Sequence, residues 1–101
     1  MMLQFKDGIT VTFSPQNQAI CAAGEKVYQR HGYACVVTAG SDGTHLPTSF
    51  HYQHKALDLR TRQIARADLP IIQRELQDEL GQDYQVLIES DHFHIEHDPT
   101  T

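Results

Sequence analysis

Val86-Leu87-Ile88-Glu89-Ser90-Asp91-His92-Phe93-His94-Ile95-Glu96 is the stretch whose reading decides the fold. The apolar run from Val86 to Ile88 and the alternation of Phe93 with Ile95 predict two strands, with a hairpin turn near Ser90-Asp91. Side chains alternate along a strand, so Phe93 and Ile95 share one face while His92, His94 and Glu96 share the other. One face is core, and the other brings both imidazoles to a common cleft. Ala56-Leu57-Asp58-Leu59-Arg60 alternates in the same way, with Leu57 and Leu59 on one side and Asp58 opposite. If the two strands are neighbours, Asp58 and His94 can reach one ion.

Outward from these strands the pattern is mixed. Ile9, Val11 and Phe13 alternate with threonines after Asp7-Gly8, the period of a half-buried strand or hairpin arm. Ser14-Pro15 gives a helix start, a capping hydroxyl with proline in the first turn, and Ile20, Ala23, Val27 and Tyr28 recur on one face until His31-Gly32. Ala34 to Ala39 is apolar and β-branched enough for a central strand, and 40–47 is polar and turn-rich. Asp68 can cap a second helix with Leu69, Ile72, Leu76 and Leu80 as its buried stripe and Gly81 at its end. The sequence predicts one α+β domain over residues 1–101, an antiparallel sheet with two packed helices.

Composition narrows the function classes. A chain of 101 residues builds one core and has no room for a second folding unit. The formal charge of −5 with eight Lys and Arg leaves no basic stripe, which argues against nucleic acid as a partner. No run approaches membrane-spanning length and the N-terminus lacks the pattern of a signal peptide, so cytoplasmic synthesis without a membrane role is expected. Cys21 and Cys35 lack the short spacing of a metal knuckle and fall within predicted elements, where buried free thiols are the expectation and a disulfide between them is the alternative.

Seven histidines remain to be explained, and five of them (His45, His51, His54, His92, His94) cluster near the polar loop and the last strand. A catalytic zinc site takes three protein ligands from imidazole and carboxylate and keeps one position for water. His51, Asp58 and His94 supply that count. Two neutral imidazoles and one carboxylate leave the ion a net positive charge, which lowers the pKa of bound water toward ~7. The same ligands also suit manganese, iron or nickel.

Thr48-Ser49-Phe50-His51-Tyr52-Gln53-His54-Lys55-Ala56-Leu57-Asp58 resembles the Ser-x-His-x-x-Gly-x-Ala-x-Asp motif of the M15 zinc peptidases, and Glu89 to Glu96 resembles that family's closing acid-x-x-His and His-x-His segment. The family comprises D-alanyl-D-alanine carboxypeptidases and dipeptidases and L-alanyl-D-glutamate endopeptidases, and hedgehog domains share its fold. The resemblance implies a hedgehog-like or DD-peptidase-like fold in which His51, Asp58 and His94 bind zinc, Asp91 is the general base and His92 assists the transition state. It further implies a metallopeptidase hydrolysing peptidoglycan stem peptides or cross-links, with the size of the short phage-type, endolysin-like members. Glu89 competes with Asp91 for the base, because strict strand alternation points Asp91 outward. His54 stands where the motif has glycine, and the arginine that many members carry upstream is not visible. His45, Lys55 or Arg60 can take its place on a substrate carboxylate, His45 first, while Ser49 orders the approach to His51. The alternative reading is a non-catalytic zinc-binding interaction module on the same fold, in which His54 is a fourth ligand.

Overall fold

The computed structural model describes residues 3–40 and 55–99. Five strands form one sheet: β1 (Leu3–Phe5), β2 (Cys35–Ala39), β3 (Ala56–Arg60), β4 (Tyr84–Ile88) and β5 (His92–His97), in the order β1-β2-β3-β5-β4. Two helices, α1 (Pro15–Arg30) and α2 (Leu69–Leu80), complete the α+β fold. The sheet departs from the all-antiparallel expectation at one edge, where β1 pairs parallel with β2. The physical reason is the connection: α1 lies between them in sequence, and a helical crossover returns the chain in the same direction.

A second departure concerns residues 9–13, which form no strand. The place beside β2 is taken by Leu3–Phe5, and Gly8 turns the chain away at φ 85°. The carbonyls of Thr12 and Phe13 are instead satisfied by α1, accepting from Asn17 Nδ2 at 2.8 Å and Gln18 Nε2 at 2.9 Å. Ile9 and Val11 still pack against the core, which is the origin of their alternation.

Helix α1 begins as its sequence predicts: Ser14 Oγ accepts from the Asn17 amide at 3.1 Å and Pro15 occupies the first turn. Helix α2 does not. Asp68 stands at its N-cap position with helical dihedrals and makes no side-chain cap bond, because a single 3-10 turn over Arg66–Asp68 already leads in. Its carboxylate accepts the Tyr33 hydroxyl at 2.6 Å. Gly81 ends α2 at φ 89°, a conformation that favours glycine.

Helix α1 packs against β2 and β3 and α2 against β4, and the two helices touch one another. Their stripes, Ile20, Val27 and Tyr28 with Ile72 and Leu76, meet Val37, Leu57, Leu59, Phe93 and Ile95 in one core. Burying a side chain of this size contributes about 1.5–3 kcal/mol. Gly24 permits the close approach of α1, since a Cβ there would lie 2.9 Å from both Cys35 Sγ and Leu59 Cδ1. Edge strand β4 is blunted by two glutamines of α2. Gln73 Nε2 donates to the Val86 carbonyl at 2.8 Å, while Gln77 accepts the Val86 amide at 3.1 Å and donates to the Tyr84 carbonyl at 2.6 Å. No helix among the described residues is long and apolar enough to cross a membrane.

Candidate functional site

Strands β3 and β5 are direct neighbours, with Leu57 opposite Ile95, Asp58 opposite His94, Leu59 opposite Phe93 and Arg60 opposite His92. The apolar members of this register are fully buried in the core. Alternation then sends Asp58, Arg60, His92, His94 and Glu96 to the opposite face. The adjacency on which a shared ion depends is present.

Asp58 Oδ1 lies 3.0 Å from His94 Nδ1, and Glu96 Oε1 lies 3.0 Å from His94 Nε2. All three side chains are largely buried, at 13%, 17% and 12% exposure for Asp58, His94 and Glu96. Hydrogen bonding to Asp58 raises the pKa of His94, burial opposes it, and the charges of Asp58 and Glu96 add to the rise. Burial favours neutral His92, yet bonds and charges from Asp91, Asp58 and Glu89 outweigh it and raise the pKa. His92 is held from both sides, by Asp91 Oδ1 at 2.7 Å from Nδ1 and by Glu89 Oε1 at 2.9 Å from Nε2. Its Nε2 is also 3.5 Å from Asp58 Oδ2.

The hairpin turn falls where the sequence places it, closed by the Glu89 amide donating to the His92 carbonyl at 2.9 Å. It brings Glu89 and Asp91 to opposite edges of one imidazole, so both candidate bases adjoin His92. Asp91 is the more exposed, 77% against 51%. Its bond to His92 is the largest influence holding its carboxyl below the ordinary value, which keeps it ionised near neutrality.

Zinc ligands at ~2.0–2.1 Å and a tetrahedral angle lie roughly 3.3 Å apart. The 3.0 Å between His94 Nδ1 and Asp58 Oδ1 is within a few tenths of that edge, so this pair fits a shared cation. Glu96 on the far nitrogen matches the carboxylate that orients a metal-bound imidazole. Among the described residues no group of three His, Cys, Asp or Glu is arranged to hold an ion. The sequence set draws its third ligand from elsewhere: His51, with His45, Ser49 and His54, lies outside the described residues.

Glu96 is the residue that sequence reasoning placed on the correct face without assigning a role. Its signal was strand parity, two positions beyond His94. His31, just past the end of α1, has its Nε2 3.1 Å from Glu75 Oε1 and so ties α1 to α2. Cys21 and Cys35 are buried free thiols, with no disulfide between them. A scan against protein-family models gives no match for the chain, and a search of curated proteins gives none either.

Proposed function

We propose that this chain is a zinc-dependent peptidase of the M15 type that hydrolyses an amide bond in peptidoglycan stem peptides or cross-links, in a phage-associated role. One observation carries the reading: Asp58 and His94 meet on the helix-free face of β3 and β5, beside a hairpin turn that gathers Glu89, Asp91 and His92. Four carboxylates around two imidazoles make this face attractive to a cation and leave carboxylates over for proton transfer.

His51, Asp58 and His94 would hold the metal. Bound there, zinc supplies a Lewis acid for the scissile carbonyl and a water acidic enough to lose its proton near neutrality. Asp91, ionised and joined to His92, accepts a proton at its carboxylate and returns it to the departing amine. His92 holds that carboxylate in place through Nδ1 and carries positive charge toward the reacting group. Glu96 fixes which nitrogen of His94 bears hydrogen, and His45 and Ser49 contact the substrate.

The test combines metal content with turnover. Asp58→Ala and His94→Ala are expected to lose stoichiometric zinc, whereas Asp91→Ala keeps zinc and loses roughly 10²–10⁴-fold in muropeptide hydrolysis. Glu89→Ala run in parallel separates the two carboxylates. Protein that binds no zinc, or hydrolysis untouched in both carboxylate variants, refutes the reading.

A further inference from the structure

Strand β4 forms one edge of the sheet, and its outward side is already occupied. The Glu89 amide donates to the His92 carbonyl and the Asp98 amide to the Asp83 carbonyl, which fixes the phase of the ladder with β5. Gln85 and Leu87 therefore turn their backbone groups toward β5, while Tyr84, Val86 and Ile88 turn theirs outward. Three of the outward groups are taken by side chains of α2. Gln77 accepts the Val86 amide at 3.1 Å and donates to the Tyr84 carbonyl at 2.6 Å, and Gln73 donates to the Val86 carbonyl at 2.8 Å. The two carboxamides occupy the donor and acceptor positions that the backbone of a sixth strand would take.

Beneath this cover the strand suits pairing. Tyr84-Gln85-Val86-Leu87-Ile88 holds no charge and no proline, two of the devices that protect an edge, and its register on β5 runs without a bulge. Leu87 is 43% and Ile88 44% exposed, on opposite faces of the strand. A neighbour laid along β4 would bury apolar surface on both faces. Beside the edge, Pro70, Gln73, Arg74, Gln77, Asp78 and Val86 line a hollow of about 240 Å³, the volume of about eight waters at ~30 Å³ each. It gives the side chains of an added strand room against α2.

We propose that the β4 edge is a self-association surface held shut by Gln73 and Gln77, and that the partner it fits is β4 of a second copy. An uncharged strand is its own complement. Two copies related by a two-fold axis beside Val86 run antiparallel, with Val86 opposite Val86 and Tyr84 opposite Ile88, and no like charges meet in that pairing. The axis stands normal to the sheet, so the two helix-free faces join into one. With neighbouring strands ~4.8 Å apart, the two β5 strands lie roughly 14 Å from each other across the shared β4 pair. That both copies then present the candidate site on one surface rests on the peptidase reading; the pairing itself does not.

Gln73→Met/Gln77→Met keeps side-chain length and helix propensity while removing the three bonds. Sedimentation equilibrium is expected to show dimerisation roughly hundredfold tighter in this variant than in the wild type, the value of three ordinary hydrogen bonds. Amide hydrogen exchange reads where the copies meet: the outward Ile88 amide should gain protection in the variant as its concentration rises. Adding Ile88→Lys should return the variant to monomer, because it sets a charge on the paired edge. A folded variant no more associated than the wild type overturns the proposal, as does a dimer whose Ile88 amide exchanges at the monomer's rate. Ile88 protection that appears with an added extended peptide, and not with the variant's own concentration, assigns the edge to another partner and also overturns it. If the double variant does not fold, Gln73→Met alone should tighten association about fivefold, and no change counts against the latch. None of these readouts uses peptide hydrolysis, so the edge and the peptidase reading stand or fall separately.

Discussion

Glu96→Gln tests the site at the residue whose role emerges only in three dimensions. The side chain is 12% exposed and lies 3.0 Å from His94 Nε2, with Asp58 on the other side of the ring. A cation bonded to Nδ1 would sit roughly 7 Å from the Glu96 charge, summing the hydrogen bond, the ring and a ~2.1 Å metal bond. Coulomb attraction of a divalent ion over that distance is about 1.2 kcal/mol at the dielectric of water and about 5 kcal/mol at an effective value of ~20. Partial exposure and the loss of only charge, not shape, place the expected effect toward the lower figure. Glutamine can still accept the Nε2 hydrogen. Zinc affinity should therefore fall about ten- to hundredfold, or about 1.4–2.7 kcal/mol, in competition with a chromophoric chelator. Denaturant unfolding of the metal-free protein should move by less than about 1 kcal/mol, since a neutral hydrogen bond replaces a charged one. Affinity unchanged within twofold would refute the reasoning, as would a metal-free stability loss as large as the affinity loss.

Three further outcomes follow from other parts of the molecule. Tyr28→Phe removes the donor to the Arg60 carbonyl and should cost about 1 kcal/mol in urea unfolding, because β3 loses an anchor to α1; unchanged stability would contradict the anchoring. Glu75 is held below the ordinary glutamate value of 4.5 chiefly by its bond to His31, and Glu79 chiefly by its bond to Lys26. Their stabilisation is complete above 4.5 and is lost as pH falls through the lower folded values, so Glu75→Gln/Glu79→Gln should flatten the decline in stability between about pH 5 and 3, and an identical profile would argue against it. Burial, then the Glu25 charge, pushes the Cys21 thiol up to about 11, and burial raises Cys35 as well. A disulfide reagent at pH 8 should therefore react with both thiols only after unfolding, and rapid labelling of native protein would contradict their burial.

What was legible in the sequence follows the strength of its periodicity. Phe93 and Ile95 against His92 and His94, and Leu57 and Leu59 against Asp58, fix which face each residue occupies, and the register of β3 on β5 agrees residue by residue. Adjacency itself was not legible, because pairing of strands more than thirty residues apart leaves no local trace. The strand expected over Ile9 to Phe13 shows the converse limit. Alternating burial arises wherever an extended segment lies on a core, and only the sheet edge, already occupied by Leu3–Phe5, distinguishes the two cases. Asp68 likewise has a capping residue's chemistry, but Tyr33, thirty-five positions away, takes its carboxylate.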